Sequence, residues 1–517
     1  MRTFLIAGTL LLLLPLFLLD CEAKKEPEII DYLGQKPPGT TAQLFAPSLI
    51  STPAMEHSAP AFSPDGTRVL WTVLDSNYHA FLLEMTYKNG VWSKPAPPSF
   101  ADPSADDYYP CFSVEGKTLF FSSRRKMPAG YRQGGDIRIW EVLRTSTGWS
   151  TAVPFDTSIS KGQDYGHSIT KNGSLYFASA LGGGTNWNIQ QSIQQNGRYT
   201  KPRLLPFSIN SVDYEEGPYI APDESFLIFE SIRPEGIEGS LDLYISFKNK
   251  AGRWSLPLNM GPKINSGSSE RFASLSPDGK YLFFGSSRNQ SPERPGFDIF
   301  WIDASVIDDL KKSQAAKTKI EPGLGETIIG ALFKNDVETA APALKKWLTL
   351  YPQNLDATVL YSSSLRKQQQ YTNAAQLLDK VADRWKNNTN ILMVRALVQF
   401  GLNKVEEANK ILKPLLVEGD QLRERYLYLS VALLDMEKLQ PSEVFFEKAM
   451  AIHASSYPYF NRACTLARMG EKDRAFAALN QAVNYGSLVL KTDYQNVADL
   501  KPLESDARWE QLLARLK

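Results

Sequence analysis

Between residues 46 and 310 the apolar positions fall in short β-branched and aromatic runs, each bounded by turn-forming residues. Five runs dominate: "RVLWTVL" (68–74), "TLFFSS" (118–123), "SLYFAS" (174–179), "FLIFES" (226–231) and "YLFFGSS" (281–287). Each follows a shorter strand pattern and a turn: "AFSPDG" (61–66), "CFSVEG" (111–116), "SITKNG" (168–173), "YIAPDE" (219–224) and "SLSPDG" (274–279). Gly66, Gly116, Gly173 and Gly279 supply the positive φ that a tight hairpin needs, so the fourth copy, with Glu224–Ser225, is expected to turn more loosely. A third strand follows ("DIRIWEV" from Asp136, "NIQQSI" from Asn188, "DLYISF" from Asp242, "DIFWID" from Asp298), then an aromatic–polar–Pro phrase at Trp92, Trp149, Tyr199 or Trp254. Four strands per unit, repeated in tandem, predict the blades of a β-propeller, and five copies predict five blades. The last copy lacks its outer strand, so "LFAPSLIST" (44–52) is expected to supply it and close the ring.

After Asp308 the apolar period becomes 3.6. Small residues recur at Ala340, Ala374, Ala408, Ser442 and Ala475, at intervals of 34, 34, 34 and 33. Ser362, Ala396, Ser430 and Ala463 stand twelve positions before the last four. Paired helices cross closely only where both side chains are small, and this period resembles the tetratricopeptide (TPR) repeat. Leu344, Leu378, Leu412, Phe446 and Leu479 follow the small residues by four, and Pro352 ends the first unit. The amphipathic tail 499–517 reads as a cap on the last open face.

The phrase "SPDG…LFF.SSR…D" resembles the WD40-like repeat of TolB-type propellers, common in bacterial envelope proteins. That resemblance implies an exported interaction scaffold, and because TolB-type rings have six blades, six is the alternative to five. The N-terminus agrees with export: Met1–Arg2, an apolar stretch from Phe4 to Leu19, then Asp20–Cys21. It resembles a lipoprotein signal with Cys21 as the lipidated residue, although Asp20 stands where that pattern has Gly, Ala or Ser. The expected organisation is a signal (1–21), tether (22–43), propeller (44–310), linker (311–324), TPR repeats (325–486) and capping segment (487–517).

A net charge of +1 excludes a global field for nucleic acid, and four histidines and three cysteines leave little for a soft-metal site. No disulfide framework is implied by Cys21, Cys111 and Cys464. The chain carries no G-x-S-x-G, H-E-x-x-H, C-x-x-C or phosphate-loop motif, so no enzyme, cofactor or metal is expected.

One constellation repeats with the blades. Glu56, Asp106, Asp107, Asp164, Glu215, Glu216 and Glu270 precede the first strands, and Arg124, Arg125, Arg233 and Arg288 follow the second. Propeller topology places both sets on one face, at the mouth of the channel. There they read either as Arg–carboxylate bridges between adjacent blades or as a charged funnel for a ligand. Loops 125–135, 232–241 and 289–297 on that face are candidates for binding. In the helical part, Tyr361, Arg366, Arg395, Gln399, Tyr428 and Arg462 are candidates for a peptide groove. The functional expectation is a non-enzymatic adaptor for envelope proteins or peptides, held to a membrane through Cys21. The alternative is a receptor for a small ligand or glycan at the propeller mouth.

Overall fold

The computed structural model describes residues 32–516 apart from 130–136, 157–158, 160–162, 181–186, 212–213, 234–240, 292–295, 316–322, 335, 418–421, 486–490 and 496. Five antiparallel sheets form five propeller blades, and the described chain holds no sixth. Blade 1 contains Met55–Glu56, Ala61–Phe62, Arg68–Leu74, Ala80–Lys88 and Val91–Trp92. Blade 2 runs from Asp107–Phe112 to Val153–Pro154, blade 3 from Asp164–Ile169 to Arg203–Leu204, and blade 4 from Glu215–Ile220 to Leu258–Asn259. Blade 5 pairs Glu270–Leu275, Tyr281–Ser286 and Asp298–Asp303 with the N-terminal strand Gln43–Leu44. The closing strand thus begins one residue earlier than expected. Gln43 pairs with Trp301 and Leu44 with Phe300, and Ser51 Oγ also bonds both the carbonyl and the amide of Ile299.

The period-2 alternation of the second strands explains the ring. Phe121 faces blade 1 while Phe120 faces blade 3, and Phe229 and Ile228 divide in the same way between blades 3 and 5. Five apolar clusters result, one per blade junction, and each sheet is covered on both faces. A polar contact marks every junction near the axis. Tyr109 N donates to Thr72 Oγ1 (3.0 Å), Ile220 N to Ser168 Oγ (2.8 Å), Phe272 N to Glu230 Oε1 (2.8 Å) and Ser274 Oγ to Pro60 O (3.1 Å). Ser122 Oγ meets His167 Nδ1 at 3.4 Å.

The fourth hairpin is as tight as the others. Glu224 N bonds Ala221 O at 2.8 Å, as Gly66 N bonds Ser63 O, because Glu224 itself takes φ 59°. Lys248 Nζ holds its carboxylate at 2.5 Å.

Helix α1 (Ser305–Ala315) follows blade 5 and buries Val306 and Ile307 on it, so it crosses the boundary expected at residue 310. Five helix pairs follow: α2–α3 (Leu324–Phe333, Val337–Leu350), α4–α5 (Leu355–Lys367, Tyr371–Asp379), α6–α7 (Thr389–Gly401, Val405–Leu412), α8–α9 (Leu422–Leu434, Leu439–Ile452) and α10–α11 (Ser456–Arg468, Lys472–Asn484). All nine small residues of the 34-residue period are buried, and Ser442 Oγ donates to the Ser430 carbonyl across the α8–α9 crossing at 2.8 Å. This is a TPR-like solenoid. Its tail puts Leu500, Leu503, Trp509 and Leu512 onto Phe476 and Leu479.

Propeller and solenoid share a core. Phe207, with Leu204 and Leu256, packs on Ile328, Ile329 and Trp347, and Phe207 N bonds Gly325 O at 3.2 Å.

Phe45 lies fully buried between Phe283 (4.8 Å) and Trp301 (5.0 Å) at the closure. Phe45→Ala is expected to cost about 3–5 kcal/mol, read as a lower urea midpoint of the propeller transition.

Candidate functional site

The acids that open the inner strands are not a funnel. Asp107, Glu215 and Glu270 are buried inside their own blades, where each meets the arginine that follows the second strand of the same blade. Arg125 Nη2 lies 2.5 Å from Asp107, Arg233 Nη2 3.3 Å from Glu215, and Arg288 Nη2 3.3 Å from Glu270. The same guanidinium groups donate to Phe100, Ile209 and Ile264 carbonyls, in the connections arriving from the preceding blades. Each also stacks on aromatic rings: Arg125 on Phe121 and Trp140, Arg233 on Phe229 and Tyr244, Arg288 on Phe284 and Phe300. These bridges are therefore internal to blades rather than between them. The inner and second strands are hydrogen-bonded neighbours, so their ends meet before any adjacent blade can intervene. Burial pushes the Asp107 carboxyl above the usual carboxylate range, with Arg125 opposing.

The remaining acids differ. Asp164 is buried at the start of blade 3. Asp106 does link neighbours, by accepting from Ala80 N of blade 1 at 3.1 Å, and Arg124 is exposed beside it. Glu56 accepts from Thr52 N and Oγ1, its Oε2 has no partner, and burial pushes it up to about 8.

The residue after each acid is the one that faces the axis: His57, Tyr108, Tyr165, Glu216 and Arg271. Sequence reasoning named only Glu216 of these. The overlooked signal was position, since each follows a blade-opening acid directly. Arg271 ties blade 5 to blade 4 through Glu216 (2.8 Å) and Glu230 (2.6 Å). Burial pushes the Glu216 carboxyl above the usual carboxylate range, with Arg271 opposing and Glu230 adding, and burial beside Arg271 pushes His57 down to about 3.

The next position turns each strand aside through a bulge of positive φ. It is Tyr109 (52°), Gly166 (47°), Gly217 (55°) and Phe272 (58°) in blades 2 to 5. A Cβ on Gly217 would stand 2.2 Å from Glu230 Oε1, and one on Gly166 would stand 3.2 Å from Gly217 Cα. Two glycines thus let the backbones close in, while two rings fill the space left at the axis. Tyr109 meets Tyr165 edge-on at 4.5 Å and Phe272 at 5.3 Å, and His57 meets Phe272 at 5.0 Å. The channel neck is plugged with aromatic rings.

Beyond the plug, toward the hairpin turns, the channel opens into a cavity of about 230 Å³. Pro60, Pro110, Pro218, Phe112, Tyr219 and Leu275 line it, and Pro64, Pro222 and Pro277 frame its mouth. It contains no charged side chain. Cys111 lies on its wall, with burial pushing the thiol up to about 12. The open end is therefore the face opposite the predicted mouth. Much of loops 125–135, 232–241 and 289–297, like Cys21, falls outside the described residues.

In the solenoid, Arg366 and Arg462 are buried rather than exposed. Arg462 pairs with Glu443 and lies over Phe446 at 4.4 Å. Arg366 makes one hydrogen bond, from Nη1 to Ala432 O (3.3 Å), and its Nε has no partner. Tyr361, Arg395 and Gln399 are half-buried, Arg395 lying 3.6 Å from Asp379, and Tyr428 is exposed. Among the described residues no three His, Cys, Asp or Glu side chains are placed to hold a metal, and no helix is long and apolar enough to cross a membrane.

A model of the family "Anaphase-promoting complex, cyclosome, subunit 3" matches residues 334–415. No curated protein matches the chain. Among solved structures it is similar to hydrazine synthase of Kuenenia stuttgartiensis (13% identity, 50% of this chain and 67% of that one, TM-score 0.30). It is also similar to a tetratricopeptide repeat protein from Parabacteroides merdae (19%, 38% and 79%, 0.23) and to a gluconolactonase, XC5397, from Xanthomonas campestris (12%, 52% and 94%, 0.29). Likenesses at this level say nothing about what the chain binds.

Glu56 gives a pH test. Its folded value, about 8, lies above the usual 4.5 of a glutamate, so the stability it supports is present below the lower value and lost as pH rises through the higher. The fall in stability between pH 6.5 and 8.5 is expected to be smaller in Glu56→Gln than in the parent, measured by urea unfolding at each pH.

Proposed function

We propose that the chain is a non-enzymatic adaptor of the bacterial cell envelope, exported, anchored through lipid on Cys21, and built to hold a partner protein or peptide on its TPR-like groove and propeller face. The observation that supports this most directly is the shared core of Phe207, Leu204, Leu256, Ile328 and Trp347. Two repeat scaffolds joined by a buried apolar seam present their surfaces at a fixed relation. Two weak contacts to one complex then reinforce each other instead of acting separately. The WD40-like phrases and the N-terminal segment support the envelope assignment by resemblance. Pull-down of the detergent-solubilised protein from its native envelope should return a reproducible protein partner, and intact mass of the mature N-terminus should show an acylated Cys21. Absence of any such partner would overturn the adaptor.

The apolar cavity favours a second reading, a receptor for a small ligand, now at the turn face. A dry cavity of about 150 Å³ already holds benzene, so this one suits an apolar molecule of similar or somewhat larger size. Thermal shift with a panel of small aromatic and branched aliphatic compounds checks it. Stabilisation by one of them in the parent, abolished by Cys111→Phe, is the expected result; no stabilisation by any compound removes this reading.

A further inference from the structure

Arg366 is out of balance with its surroundings. It is 5% exposed, on the last turn of α4, yet no carboxylate among the described residues lies within ion-pair distance of it. Of its five N–H donors, the single bond to Ala432 O uses one, and Nε is buried without a partner. The nearby arginines show how the solenoid normally treats such a group. Arg462 has Glu443, and Arg468 has Asp435 at 3.5 Å. Asp435 lies near Lys367 as well, where Arg366 and Arg468 both add positive charge. A guanidinium removed from water needs a counter-charge, because leaving it uncompensated is strongly destabilising.

The surface above it is apolar. Tyr428 is 45% exposed and Val431 44%, on α8, the helix whose Ala432 carbonyl takes the one bond from Arg366. Tyr428 is open to solvent, yet desolvation holds its hydroxyl above the usual phenol range, with Arg366 opposing. So a planar cationic fork on α4 with free donors reaches α8, the first helix two repeats further on, beside the turn that carries two exposed apolar side chains.

We infer that this part of the groove takes the carboxylate of an aspartate or glutamate side chain on a partner polypeptide, with an adjacent apolar residue laid on Tyr428 and Val431. The inference rests on the adaptor reading and gives its partner a chemistry. A carboxylate matches the guanidinium edge in shape, can accept two parallel hydrogen bonds, and supplies the charge that no described residue gives Arg366. An apolar partner alone would bury Arg366 further without compensating it.

The test is selection of a random decapeptide phage library on the full chain. Enriched peptides should carry Asp or Glu beside Leu, Ile, Phe or Tyr. Synthesised, they should lose about tenfold or more in affinity with Arg366→Met. The acid→amide peptide should lose as much, and the two changes together should cost no more than either alone. A stability arm guards against a merely structural arginine. Arg366→Met should unfold at a urea concentration no lower than the parent, whereas Arg462→Met, which removes one of the two arginines on Glu443 together with the stacking on Phe446, should unfold lower. Enrichment of peptides without an acid, equal binding to Arg366→Met, or a loss of stability in Arg366→Met matching that of Arg462→Met would each overturn the inference. Acid-independent peptides would do so while leaving the adaptor standing; only the lack of an envelope partner removes both.

Discussion

The propeller depends on one constraint: a blade has apolar side chains on both faces and can cover neither by itself. Phe120 and Phe121, or Ile228 and Phe229, are adjacent in sequence and belong to different cores. Every core is therefore an interface, and a missing blade would expose two of them. The short closing strand matters out of proportion to its length for this reason. Gln43 and Leu44 turn the last interface into one like the other four, and the hydrogen bonds from Ser51 to Ile299 fasten it.

The ring then sets the character of its axis. Inner strands converge where there is least room, so the chain places glycine at two of the bulges and an aromatic residue at the other two, and the rings of Tyr109 and Phe272 occupy the middle. Polar groups taken into this neck must satisfy one another. Arg271 does so with Glu216 and Glu230, while His57 remains neutral. Charge is spent on cohesion at this end, and open space is left at the other, where prolines and the ends of the inner strands line an uncharged cavity. The solenoid divides its arginines in a comparable way: Arg462 is consumed by Glu443, and Arg366 is not.

The architecture was legible because it is periodic. A Pro-Asp-Gly turn before an aromatic strand fixes a hairpin locally, and a small residue every 34 positions fixes a helix crossing, so repetition made each weak signal strong. The hairpin at Glu224 misled because a non-glycine residue can take a left-handed φ when the rest of the strand pair demands it. The candidate site was less legible for a different reason. Whether an acid faces the channel or its own blade depends on strand register, and register differs by one residue between Glu215 and Glu216. The sequence lists both acids side by side, and only pairing with Ser231 and Glu230 separates them. In the solenoid, Arg366 and Arg462 read alike as exposed groove residues; both are buried, and what distinguishes them is a carboxylate from another helix.

Closure by Gln43–Leu44 against Phe300 and Trp301 has a consequence for how the molecule is made. The two halves of that seam lie more than two hundred residues apart, so the ring stays open while the ribosome is still extending the chain through the fourth sheet. Its rim strands are unprotected for that whole interval. Helix hairpins have no such wait, since each finds its contacts within a few tens of residues. The propeller's first strand therefore waits longest for its place, and the whole ring becomes a closed solid only when the last sheet arrives.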